Sequence, residues 1–232
     1  MKRALVDQVT RLLGWLRRAR RQDPPSGSGP VKVNLGSSLL VAPGWVNVDG
    51  NLSALFAGAP RPVLRAVYRL AGISAQLTED RYVEILEREQ FIHHNLEYGI
   101  PLPDECADYV FASHFLEHLS RRRGEHLVRE SARILKPGGV IRIAVPDLAY
   151  FIRAWEEGDK DRAMDGIFED LDLGHFARHR YMYDYDMLEG LMRRAGLTGV
   201  TRCDFRQGRT PDIDVLDNRP GSLVVEAAKP AV

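Results

Sequence analysis

The chain has 232 residues, with 32 lysines and arginines against 32 aspartates and glutamates, so its formal net charge is zero. That length suits one α/β domain with embellishments, and the balanced charge argues against nucleic acid as the main partner, leaving a small or neutral ligand as the default. Cys106 and Cys203 lack metal-ligand or redox spacing, which fits a reducing cytoplasm. No apolar run nears the roughly 20 residues that span a bilayer, and the N-terminus lacks a secretory signal's apolar core, so a soluble chain with no transmembrane segment is expected.

Residues 3–21 read as an amphipathic helix, with Leu5, Val9, Leu12, Leu13 and Leu16 on one side and Arg17, Arg18, Arg20 and Arg21 at its end. The stretch QDPPSGSGP detaches it, giving a basic helix and linker over residues 1–30 and a main domain over residues 31–232. Such a helix packs on its own domain, packs on a twin subunit in a homodimer, or touches an anionic membrane surface.

Residues 31–49, VKVNLGSSLLVAPGWVNVD, read as strand, glycine-containing loop, second strand and terminal carboxylate. Gly36 lets bare backbone approach a ligand, Ser37 and Ser38 add hydroxyls, and Asp49 can accept from two ribose hydroxyls. One glycine, a short span and Pro43-Gly44 speak against a dinucleotide pyrophosphate site. An ordinary strand–turn–strand is the plainer alternative.

Residues 52–90 hold two helical stretches, PRPVLRAVYRLAG and LTEDRYVEILEREQ, in an insertion long enough to serve as a lid. A third strand is expected at FIHHN and a fourth at ADYVFASH, whose apolar centre suits burial on both faces in a parallel sheet. GEHLVRESARIL sets Leu127, Val128, Ile134 and Leu135 on one helical face, and KPGG turns the chain into a fifth strand, GVIRIAVPD. Asp186 with Glu189 reads as a capping box for DMLEGLMRRA, and Gly196 as the left-handed residue ending that helix. VTRCDF and SLVVEAA follow as strands without a crossover helix and are expected to pair antiparallel.

The segments NLGSSLLVAPGWVNVD, LPDECADYVFASHFLEHL, RESARILKPGGVIRIAVPDL and HRYMYDYDMLEGLMRRAGL, in that order, resemble the class I S-adenosylmethionine-dependent methyltransferases, specifically the type 11-like branch. The resemblance spans roughly residues 31–228. It implies a Rossmann-like α/β fold with a seven-stranded, mostly parallel sheet carrying one antiparallel strand, and S-adenosyl-L-methionine as cofactor. It places Leu35, Gly36, Ser37 and Ser38 against the cofactor's methionine part and Asp49 on its ribose. Asn95 and Leu96 fall at the adenine, and Ser113 and His114 beside the transferable methyl. Two departures stand out: Ser38 replaces a second loop glycine, and Asn34 stands where many members carry an acid.

Ligands of open parallel sheets collect at the carboxyl ends of the strands, which singles out His114 and Asp147. Methyl transfer to a hydroxyl needs an aligned acceptor and a proton acceptor, and a histidine suits the latter. His114 is the first candidate base, with a structural hydrogen-bonding role as the alternative. His118 reads as an anchor for its helix or the cofactor loop. GHFARHRYMYD supplies His175, His179, Tyr181 and Tyr183, and His179 is a further catalytic candidate. His175 and His179, four apart, form a weak zinc pair without a third ligand, so no metal site is assigned. Asp165, Glu169, Asp170 and Asp172 read as a solvated face, with Mg2+ bound by Glu117, Asp147 or one of these acids as an open option. His93 and His94 alternate, so at most one faces the cleft. The expected function is O-methylation of a sugar or polysaccharide hydroxyl; the alternatives are another small-molecule N- or O-acceptor, or a non-catalytic scaffold of the same fold.

Overall fold

The computed structural model describes residues 13–16, 18–19, 21–23, 29–71, 77–168 and 178–231. Most of the expected basic helix lies outside these residues, as do His175, Glu169, Asp170 and Asp172. Among the described residues no helix is long and apolar enough to cross a membrane.

Seven strands form one sheet: β1 (Lys32–Leu35), β2 (Trp45–Asp49), β3 (Gln90–His93), β4 (Ala107–Ser113), β5 (Leu135–Val145), β6 (Thr198–Cys203) and β7 (Leu223–Ala228). Their order is β3-β2-β1-β4-β5-β7-β6. The first five are mutually parallel, and β7 runs antiparallel to both β5 and β6, as the consecutive-strand argument requires. Because the chain moves from β1 outward to β3 and then returns to β4, the crossovers reverse between β1 and β4, opening a crevice at their carboxyl ends.

The continuous apolar runs of β4 and β5 are buried because helices cover both faces of the sheet. One core cluster joins Val33, Val48, Val110, Ile141 and Val225 of the strands to Leu127, Val128, Leu188 and Leu191 of α4 (Arg121–Ile134) and α7 (Tyr185–Arg194). The insertion holds α1 (Leu52–Phe56), α2 (Arg61–Ala71) and α3 (Glu79–Arg88). Its Leu64, Val67, Tyr82 and Leu86 make a second core, packed against Leu39, Val41 and Phe91 at the β2–β3 edge.

Three local expectations change. The cap of α7 is Asp184, whose Oδ1 accepts from Met187 N–H at 2.8 Å, rather than Asp186. The bridge between Asp147 and Tyr183 holds the chain extended to that point, so the helix starts directly after it and Asp186 falls in its first turn. Residues 136–139, expected as a turn before β5, lie within the strand as a bulge: pairing runs from Ala107 with Leu135 to Tyr109 with Val140, and Gly138 takes φ +80°. The β6 strand sits two residues earlier than VTRCDF suggests. Gly196 ends α7 as expected, at φ +85°, with Gly196 N–H donating to Arg193 O at 3.0 Å and Leu197 N–H to Met192 O at 3.1 Å.

Arg142, fully buried in the middle of β5, ties the last part of the chain to the sheet. Its guanidinium pairs with Asp217 and, at 3.0 Å, with Glu226 of β7, and donates to Gln207 O at 2.8 Å. Burial alone would raise the Glu226 pKa. The Arg209 and Thr210 N–H groups, the Thr210 hydroxyl and Arg142 outweigh burial, and the pKa falls below the usual glutamate value. The carboxylate's stabilising contribution is therefore complete above pH 4.5, the ordinary value, and is lost as pH falls through the lower folded value. Replacing Arg142 by Met leaves two buried carboxylates without their cation and should cost about 3–5 kcal/mol in urea unfolding.

Candidate active site

The loop leaving β1 is organised by Asn34, Gly36 and Asp49. Asn34 donates from Nδ2 to Leu40 O at 2.8 Å and to Asn47 Oδ1 at 3.1 Å, closing the loop from below. The residue that departs from the acidic pattern is thus used within the protein. Gly36 takes φ +63°, and a Cβ there would stand 2.2 Å from the Phe115 ring. The missing side chain therefore admits Phe115; the expected close approach of a ligand is not what requires glycine here. Leu35 is fully buried in the core, so only its backbone can border the crevice.

Asp49 ends β2 with both carboxylate oxygens on backbone donors: Ser38 N–H to Oδ2 and Asn51 N–H to Oδ1, each at 2.8 Å. Ser38 reaches this position at φ +47°. Burial raises the Asp49 pKa and outweighs the opposing N–H groups of Ser38, Asn51 and Gly50. Each oxygen keeps a lone pair for a further donor. The Ser37 hydroxyl is buried with no hydrogen-bond partner among the described residues. Asn95 lies next door: a Cβ on Gly50 would sit 3.5 Å from its Cα. Asn95 Oδ1 accepts from Glu97 N–H at 3.0 Å and caps the 3-10 turn Leu96–Tyr98, whose Leu96 side chain is buried. A desolvated carboxylate, an orphaned hydroxyl and an amide at neighbouring strand ends fit a nucleoside carrying a diol.

His93 and His94 are both buried. Burial, followed by the neighbouring His93, pulls the His94 pKa down to about 4. His94 is neutral at pH 7, and this favours the folded state above pH 6.5 and is lost as pH falls toward about 4.

Across the crevice, His114 follows β4 at φ +49°, a strained conformation for a residue with a side chain. Its Nε2 lies 2.7 Å from Ser222 Oγ, and the Ser222 hydroxyl donates to Arg219 O at 2.9 Å. Ser222 must then accept from Nε2–H, which leaves the lone pair on Nδ1. Nδ1 faces Arg219 Nη1 and Glu117 Oε1, each at 3.3 Å. Ser113 lies just before it, paired with Ala144 of β5. Arg219 and Ser222 escaped the sequence reading, although the signal was present: an antiparallel β7 must begin at the edge where β5 ends, and Leu223 does pair with Val145.

The 3-10 turn Leu116–His118 brings Glu117 and His118 together with His179. The backbone carbonyl of Glu117 accepts from Arg180 N–H at 2.7 Å and Tyr181 N–H at 3.2 Å, fixing the two segments against each other. The rings of His118 and His179 are 5.2 Å apart, and Tyr181 and Tyr183 pack edge to face at 5.1 Å. Burial raises the Tyr183 phenol pKa, and its hydroxyl has no hydrogen-bond partner among the described residues. Asp147 is engaged structurally: Oδ1 accepts from Ala149 N–H at 3.0 Å to cap α5 (Leu148–Glu156), and Oδ2 accepts from Arg202 at 3.0 Å. Asp165, in α6 (Lys160–Phe168), is exposed. Among the described residues no cluster offers the all-oxygen set that Mg2+ prefers.

Residues 57–143 match the family model described as a methyltransferase domain. Over that stretch the chain is similar to methyltransferase domains, and its sheet has the Rossmann-like class I methyltransferase fold. The matched stretch includes Asn95, His114 and Glu117 but begins after Asp49. A solved S-adenosylmethionine-dependent methyltransferase from Methanosarcina mazei is 13% identical, with 89% of this chain and 95% of that chain covered at a TM-score of 0.51, a likeness of fold. A methyltransferase from Haloferax volcanii, solved in complex with the Trm112 activator, is 18% identical over 97% of this chain and 93% of that chain, at a TM-score of 0.47. Curated protein sequences return no significant match.

Ser37, Asp49 and Asn95 together offer the polar groups that an adenosine with its ribose diol could engage. Replacing Asp49 by Asn removes a carboxylate whose ionised form is disfavoured by burial, so the free protein should melt no lower than the parent at pH 7. Calorimetry should nevertheless show S-adenosylhomocysteine binding weakened at least about 10-fold, the loss of charge-assisted bonds to the diol.

Proposed function

We propose that this methyltransferase O-methylates a hydroxyl of a sugar or polysaccharide, with His114 as general base. The observation that carries the reading is the His114 network: Ser222 holds Nε2–H, and the lone pair of Nδ1, met by Arg219 Nη1, lies beside Glu117 at the carboxyl end of β4. When bound, S-adenosylmethionine supplies an electrophilic methyl carbon. His114 Nδ1 would take the acceptor's proton as the oxygen–carbon bond forms and the methyl carbon's bond to sulfur breaks. The resulting imidazolium lies against the Glu117 carboxylate, 3.3 Å from His114 Nδ1. Neighbouring His118, His179 and Tyr181 combine apolar ring faces with polar atoms, a surface suited to the alternating character of a sugar. The insertion over residues 52–90 is proposed as the lid that shelters this crevice. The free thiols of Cys106 and Cys203 support action in a reducing cytoplasm.

Labelled methyl donor incubated with glycans, small alcohols and small amines tests this reading. Label should pass to a glycan hydroxyl. His114→Ala should lower kcat by about 10²–10⁴-fold with little change in cofactor affinity, as expected for loss of a general base. A neutral amine needs no such base, so transfer to amines at an unchanged rate in His114→Ala would overturn the assignment.

A further inference from the structure

The group formed by Glu117, His118 and His179 has the makings of a metal centre. Each residue offers one ligand atom, and these atoms lie within 4.8 Å of one another. Tetrahedral ligands about 2.1 Å from zinc are about 3.4 Å apart, so modest side-chain rotation closes the set. The Glu117 side chain is 1% exposed, and neither of its oxygens has a hydrogen-bond partner among the described residues. Among the described residues its ion-pair partner is the His114 ring at 3.3 Å, a group that is cationic only when protonated. A buried carboxylate left in this state calls for a cation.

The two imidazoles are oriented for the same purpose. His118 Nδ1 lies 3.2 Å from Arg178 O, and His179 Nδ1 lies 3.1 Å from Gly166 O. A carbonyl only accepts, so each Nδ1 carries the proton and each Nε2 presents its lone pair. Backbone carbonyls that set the tautomer in this way are a recurring outer shell of metal-bound histidine. Two imidazoles and one carboxylate suit Zn2+ and similar transition ions and disfavour Mg2+ or Ca2+.

We propose that Glu117, His118 and His179 bind one divalent transition ion of the zinc class, leaving a coordination position for the acceptor's oxygen. The inference deepens the proposed O-methylation and rests on it for the acceptor's identity. Bound to the ion, the acceptor hydroxyl becomes more acidic. Its proton passes to His114 Nδ1 and its oxygen attacks the methyl carbon while the carbon–sulfur bond breaks.

The test uses the tag-free full chain, stripped of metal and titrated with Zn2+ alone against a chromophoric chelator. One equivalent should bind per chain, and Zn2+ should raise the melting temperature. Glu117→Gln, His118→Ala and His179→Ala should each weaken binding at least about 10-fold and abolish the thermal shift. Glu117 is buried, so circular dichroism checks that its variant folds; the two histidine variants carry the test if it does not. Stoichiometry below about 0.2, or parental affinity in both histidine variants, overturns the metal site. Parallel calorimetry with S-adenosylhomocysteine separates the two readings: cofactor binding without zinc binding sinks the metal centre alone. With a hydroxyl acceptor, stripping should cut turnover at least about 10-fold, with recovery by Zn2+ and none by equal Mg2+; undiminished turnover by the stripped protein sinks the ion's catalytic part.

Discussion

The reversal of crossover direction between β1 and β4 is the constraint on which the remaining geometry depends. Parallel strands connected on both sides of β1 diverge at their carboxyl ends, and that divergence creates a hollow no loop has to carve. One half of the candidate site descends from β1, β2 and β3, through the Gly36 loop, Asp49 and Asn95. The other half descends from β4 and β5 and is completed by Arg219 and Ser222 ahead of β7. Polar side chains gather there because strand tips are where backbone pairing ends and side chains are released from the core.

The stability of this arrangement comes from apolar burial on both faces of the sheet, and its specificity from a few buried charges. Arg142 illustrates the distinction. Two buried carboxylates and a buried guanidinium gain little net free energy over apolar replacements, but they admit only one placement of residues 204–217 and of β7. Through that placement Arg219 and Ser222 arrive at the mouth of the crevice.

Much of this fold was legible in the sequence, because strands buried on both faces write themselves as continuous apolar runs and the helices between them keep a regular apolar face. The terminal antiparallel pair followed from the lack of room for a crossover. Local endings were less legible. Asp184 and Asp186 are equally good caps by residue type, and only the long-range bridge between Asp147 and Tyr183 selects the first. Of the site, Asp49 and His114 could be found from their place after strands. The association of His179 with Glu117 and His118 could not, since it joins segments about sixty residues apart through backbone hydrogen bonds that leave no pattern in the sequence. Gly36 was noticed for a sound general reason, but its actual neighbour is a side chain from a distant strand end.

The contact between Gly36 and Phe115 joins the two halves of the crevice mechanically. Phe115 directly follows His114 and immediately precedes the turn that carries Glu117 and His118, so its ring is a lever with one end on the Gly36 loop and the other at that turn. A displacement of either end is passed to the other.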